Sequence, residues 1–150
     1  MDVKDGVNMD YEKQMKKIQK ENKKYLDEFW NWLKDKGLKE KTIRSHVSNA
    51  DLYINDYLNY YELTKMEEGY SMISNFLGDW FIRKCMWSTA YSVKTTAASI
   101  KKFYNCMMEK GYVSKENYDM LSFIIKDEME EWIEEVNRYN SFDDFDDFMF

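Results

Sequence analysis

The sequence predicts an all-α protein, and three observations carry that prediction. Apolar residues recur at three- and four-residue steps in five successive stretches, the period of helices with one buried face. No stretch alternates apolar with polar residues as a half-buried strand does. The 150 residues include no proline, so nothing forces a long helix to break. A chain of this length favours one domain, and a domain of this size buries about 68–70% of its unfolded surface. Five Trp, 12 Tyr and nine Phe supply material for a core despite 33% charged residues.

Residues 1–10 show no apolar period and read as a disordered lead. A single helical domain is expected over residues 11–139, because no Gly/Ser/Pro linker or tandem repeat interrupts them. Its first helix should run from about Tyr11 to Lys36, with Met15, Ile18, Tyr25, Phe29 and Leu33 on one stripe and polar Asn22 interrupting it. Lys13, Lys16, Lys17, Lys20, Lys23 and Lys24 make the opposite side basic, either as a solvated face or as a surface for anions. Asp35-Lys36-Gly37 is a turn. The second helix, about Lys39 to Tyr61, turns Ile43, Val47, Ala50, Ile54, Tyr57 and Leu58 inward. Its other face carries Lys41, Arg44, Ser45 and Ser48. Such a face is either ordinary solvated surface or a set of cations and short hydroxyls laid on a phosphate backbone.

Glu62–Gly69 reads as a connection to a third helix, about Tyr70 to Lys84, with Ile73, Phe76, Leu77, Trp80 and Phe81 inside. Trp80 and Trp87 are core candidates, since aromatics at helical spacing usually pack inside. Ser92 is the expected N-cap of a fourth helix from Val93 to about Lys110. Val93, Ala97, Ile100, Tyr104 and Met107 form its inner stripe. Lys94, Thr95, Ala98, Lys101 and Lys102 face the other way, and Gly111 ends it. A fifth helix should run from near Ser114 to about Tyr139, with Leu121, Ile125, Met129, Trp132 and Val136 on a sustained seam between acidic flanks. Residues 140–150, ending SFDDFDDFMF, read as an acidic-aromatic tail.

Net charge is −6, which argues against a simple nucleic-acid binder, but its distribution is uneven. Residues 1–50 hold 12 Lys and Arg against 9 Asp and Glu, residues 51–110 hold 7 against 7, and residues 111–150 hold 3 against 12. The acidity is confined to one end, which leaves the rest free to touch DNA. No segment approaches the ~18 consecutive apolar residues of a membrane span, and the first residues lack a secretory apolar core. Cys85 and Cys106 stand apart and fit reduced thiols, so a cytoplasmic protein is expected.

Two segments carry a family resemblance: WLKDKGLKEKTIRSHVSNADLYINDYL in the first half, and FLGDWFIRKCMWSTAYSVKTTAASIKKFYNCMMEKGYVS from Phe76 to Ser114. Ser92, Thr95, Phe103-Tyr104 and Gly111 stand where that family has a Ser-x-x-Thr helix start, an aromatic middle and a Gly-bounded end. Together they resemble the N-terminal SAM-like, core-binding domain of phage integrases and other tyrosine recombinases. The resemblance implies a SAM-like orthogonal four-helix bundle, here with an additional long fifth helix. It also implies that the second and fourth helices lie across double-stranded DNA. Lys41, Arg44, Ser45, Ser48, Lys94, Thr95, Lys101 and Lys102 would make the contacts, in an accessory factor for DNA recombination or integration.

The recombinases' cutting machinery has no counterpart in the sequence. The only histidine, His46, is not followed by the arginine of a His-x-x-Arg pair, and there are only three arginines. No catalytic residue, cofactor or metal site is therefore expected, and His46 reads as a hydrogen-bonded structural histidine. A second reading makes the chain a protein-interaction module that has lost DNA binding, with the acidic fifth helix and tail as a DNA mimic or as a docking surface for a recombinase or another basic protein. A last expectation pairs the first helix (Met15, Ile18, Tyr25, Phe29) with the fifth (Met129, Trp132, Val136, Tyr139), within one chain or in a homodimer.

Overall fold

The computed structural model describes the backbone of residues 3–149 and the side chains of residues 9–141. The protein is all-α, with no strand among the described residues. Its first helix, α1, spans Val3–Asp35. It starts within the expected lead rather than at Tyr11, in a stretch that contains no proline to stop it. Gly37, at φ 83°, ends it. The Gly37 N–H reaches the Lys34 carbonyl (2.9 Å) and the Leu38 N–H the Leu33 carbonyl (3.3 Å), closing the last turn.

Helix α2 covers Glu40–Asp51 and runs on as a π-helical segment, Leu52–Tyr57. Asn22, read as an interruption of the first apolar stripe, is only 1% exposed and acts as a clamp between helices. Its side-chain amide donates to the Ile54 carbonyl (3.2 Å) and to Asn55 Oδ1 (2.8 Å). Asn59 donates to the same carbonyl from the other side at 3.3 Å. Both amides are buried because they are satisfied, as buried polar groups must be.

The expected connection is itself structured: Met66–Ser71 form a 3-10 helix. Three helices hold it through tyrosine hydroxyls. Tyr53 donates to the Gly69 carbonyl and Tyr25 to Glu67 Oε1 (2.8 Å), while Tyr57 donates just beyond the segment, to Asn75 Oδ1 (2.7 Å), with the Met72 carbonyl 3.2 Å away. Tyr104, from the fourth helix, donates to the Met66 carbonyl at 2.7 Å. Gly69 is needed here, because a Cβ would run into Leu58 Cδ1 and stand 2.9 Å from the Tyr104 oxygen.

Helix α3, residues 73–84, comprises Ile73–Asn75, the π-helical Phe76–Trp80 and Phe81–Lys84. It therefore starts three residues later than expected, since Tyr70 and Ser71 belong to the 3-10 segment. Trp80 is buried as predicted, but Trp87 is 62% exposed, which corrects its assignment to the core. It lies beyond the end of α3, in the link to the next helix, with its ring edge-on to Phe81.

Helix α4 is Ala90–Glu109, and its N-cap is Thr89 rather than Ser92. Thr89 Oγ1 accepts from the Ser92 N–H (3.1 Å) while Ser92 Oγ accepts from the Thr89 N–H (2.8 Å), a reciprocal capping box. Gly111, at φ 84°, ends α4 by the same arrangement as Gly37. Helix α5, Lys115–Met149, begins with Ser114 Oγ accepting from the Asn117 N–H at 3.1 Å. Its backbone carries the helix into the expected tail as far as Met149, while the side chains of residues 142–150 lie outside the described residues. Likewise, residues 1–8 of the expected lead have side chains outside them.

The expected pairing of α1 with α5 within the chain is not what forms. α5 lies on α4, α3 and the 3-10 segment, whereas α1 lies on α2 and α4. Trp132 explains the choice: its indole ring lies over Gly78, where an added Cβ would be only 3.1 Å from Trp132 Cδ1, so α3 offers a flat seat. Asn140 then donates to the Ser88 carbonyl (3.0 Å), tying α5 to the start of α4. The α1 stripe is already occupied, with Phe29 edge-on to Phe103 at 5.3 Å and Tyr25 against Tyr112 at 4.9 Å. Among the described residues, no helix is long and apolar enough to cross a membrane.

Three substitutions test this core in a urea melt. Trp80→Ala should cost about 3–5 kcal/mol through the cavity it leaves, while Trp87→Ala should stay within about 0.5 kcal/mol. Tyr104→Phe should cost about 1–3 kcal/mol, because the buried Met66 carbonyl loses its partner. Equal effects at Trp80 and Trp87 would refute this account of the core.

Candidate nucleic-acid interface

α2 and α4 turn Ile43 and Ala50, and Val93, Ala97 and Ile100, into the common core. Where their outer edges diverge they leave an open groove of about 360 Å³. Lys41, Thr42, Ser45, His46 and Asn49 line it from α2; Tyr91, Thr95, Ala98 and Ser99 line it from α4. None of these is acidic. The polar groups of the wall are hydroxyls, an amide, an imidazole and a lysine, which suit an anion's oxygens better than a cation.

The groove sorts the eight residues singled out from the sequence. Lys41, Ser45 and Thr95 line it. Lys102 continues the α4 stripe of residues 91, 95, 98 and 99 by one turn, and its charge is felt at His46. Lys94 and Lys101 are exposed about a quarter-turn further round α4. Arg44 and Ser48 are exposed on the outer flank of α2. There Arg44 is paired with Glu40 at 2.6 Å, so its charge is partly committed within its own helix.

The floor of the groove is a polar junction organised by Ser99, which is 1% exposed. Ser99 Oγ donates its single proton to the Thr95 carbonyl (3.0 Å). It accepts from Asn49 Nδ2 (3.0 Å) and faces His46 Nδ1 at 2.8 Å. His46 is therefore hydrogen-bonded, as the sequence reading expected, but it also faces the groove. Its pKa is pushed below the ordinary value, first by burial and then by the nearby Lys102 charge. Sequence reasoning left Asn49, Ser99 and Tyr91 out. The available signal was His46-x-x-Asn49, a polar pair one turn apart on the border of the α2 apolar stripe, which needs a polar partner from another helix.

Both cysteines are buried, and burial pushes their thiols up, Cys85 to about 11 and Cys106 to about 12, so neither is poised as a nucleophile. Among the described residues, no three His, Cys, Asp or Glu side chains are grouped to hold a metal ion. Comparison with protein-family models, curated proteins and solved structures returned no match.

His46 is the only histidine, so its ring resonances can be followed without assignment ambiguity. By proton NMR it should titrate below the ordinary ~6.5, and Lys102→Ala should move the midpoint up. The folded pKa is depressed, so charging the ring opposes folding. The contribution to stability is complete above the unfolded pKa and is lost as pH falls from there through the folded one. A midpoint at or above the ordinary value would contradict the burial of the ring.

Proposed function

We propose that this protein is a non-catalytic, cytoplasmic DNA-binding module of the recombinase core-binding type, with α1–α4 as a SAM-like orthogonal bundle. The setting is an accessory role in DNA recombination or integration. One observation carries the reading: in a chain of net charge −6, the groove between α2 and α4 has no acidic side chain in its wall. It unites Lys41, Ser45 and Thr95 from two separate stretches. In this reading Lys41, Ser45, Thr95 and Lys102 contact the phosphates nearest the groove, and Arg44, Ser48, Lys94 and Lys101 flank them. Short hydroxyls and flexible lysines make phosphate contacts, which position a protein on a duplex but read little sequence. Among the described residues, no acidic side chain of α5 lines the groove.

A second reading rests on the exposed side of α5. Phe123 is 66% exposed and Met120 48%, and helical spacing puts both on one stripe with Glu116, Asp127, Glu131 and Glu134. Apolar side chains set among carboxylates fit a basic protein partner. The two readings concern different faces and are compatible with each other.

Fluorescence anisotropy with unrelated labelled duplexes over a salt series tests the DNA reading. Binding should weaken steeply with salt. Lys41→Ala and Lys102→Ala should each weaken it to a similar degree on every sequence, and lower the salt slope by about 1. Arg44→Ala should have less effect, because Glu40 already holds part of its charge. Absence of salt-dependent binding in the unaltered protein would overturn the reading.

A further inference from the structure

We infer that His46 is itself a phosphate ligand of the α2–α4 groove, and that it binds as the imidazolium, so that engaging DNA draws one proton from solution. The inference rests on the DNA reading above and adds to it a named ligand and a proton.

The geometry of the Ser99 junction carries the argument. A serine hydroxyl has one proton, and the Thr95 carbonyl receives that of Ser99 at 3.0 Å. When that proton goes to Thr95, the donor between Ser99 and the ring nitrogen 2.8 Å away is Nδ1, and the neutral ring's only N–H is then on Nδ1. Asn49, donating to Ser99 at 3.0 Å, completes the arrangement and fixes the ring's orientation. Among the described residues, Nε2 on the far edge meets no hydrogen-bond partner and is not enclosed, while the residue lines the groove. In the neutral ring Nε2 presents a lone pair, which repels a phosphate oxygen. In the charged ring it presents an N–H at the same place, with no movement of side chain or backbone. An anion in the groove therefore selects the charged form.

The surrounding charges act in the same direction. Lys41 on α2 and Lys102 and Tyr91 on α4 are the titratable groups on the groove side of His46, and none is a carboxylate. α1 also packs on α2, and its Trp30 and Lys34 share a separate cavity with Glu40 and Ile43 of α2, away from the groove. Without an anion, Lys102 and burial disfavour a charged ring. A phosphate held between Lys41, Lys102 and His46 reverses both effects, since an opposite charge at this range favours the ionised form. Proton uptake follows from that reversal.

The test uses the full chain and a labelled duplex at constant ionic strength, with anisotropy measured from about pH 8 to about pH 6. Affinity should rise as pH falls, by up to about tenfold per pH unit for one linked proton. The His46 ring midpoint, followed by NMR, should move up when duplex is added. His46→Asn keeps an amide where Nδ1 meets Ser99 and removes the titrating edge, so the variant should fold, bind more weakly at low pH and show a flat profile. Duplex binding by the unaltered protein with no pH dependence would overturn this inference and leave the DNA reading standing. A folded His46→Asn variant that keeps the full pH slope would also overturn it, because the proton would then enter elsewhere. No duplex binding at any pH would overturn both.

Discussion

The fold depends on one requirement of its buried tyrosines: each hydroxyl needs an acceptor inside the protein. Tyr53, Tyr57 and Tyr104 are almost wholly buried, and all three donate to residues 66–75. Tyr25 does the same from α1. A buried hydroxyl without a partner would cost about 1–3 kcal/mol. Four such groups aimed at one short segment therefore fix where α1, α2 and α4 stand around it. The aromatic rings contribute their own geometry, with Tyr53 and Tyr57 both 4.9 Å from Phe76. Burial pushes the Tyr57 hydroxyl up to about 12, so these donors stay protonated across the physiological range.

The groove follows from the same logic one layer further out. α2 and α4 are brought together by their apolar stripes, but their register along the groove is set by Ser99, Asn49 and His46. A polar junction of this kind is directional, whereas apolar contact is not. That is why Lys41 and Thr95, more than fifty residues apart in the chain, line one cavity. The junction is fully satisfied on its inner side and open on its outer side, which makes it a structural contact and a binding wall at once.

Charge is kept apart by this architecture. The lysines of α1 and the carboxylates of α5 lie on helices that share α4 as a neighbour but pack mainly against different elements, α1 on α2 and α5 on α3 and the 3-10 segment as well. The ion pairs among the described side chains are instead local and exposed, such as Arg83 with Asp79 and Lys115 with Asp119. Pairs of that kind contribute about 0–1 kcal/mol and do not decide a fold. Net charge is therefore a poor guide to this molecule, because an acidic helix and an acid-free groove coexist without neutralising each other.

The sequence by itself determined the all-α class, the five helices, the two glycine turns and most of the core. Ile43, Ala50, Phe76, Trp80, Val93 and Ile100 were legible because a 3.6-residue period is a local property. It also marked the eight polar candidates on α2 and α4, since facing away from an apolar stripe is equally local. Tertiary structure decided the rest. It separated Lys41, Ser45 and Thr95 in the groove from Arg44 and Ser48 on the flank, a difference fixed by how two helices cross. It placed Trp132 over Gly78 and so denied α5 the α1 seam, although both seams have the right period to pair. It also turned Asn22 from a flaw in a stripe into a clamp on the Ile54 carbonyl. Periodicity tells which side of a helix seeks cover, but the partner is chosen by shape, by small residues such as glycine, and by where hydrogen bonds can be completed. Those are contacts between residues distant in the chain, and no local pattern encodes them.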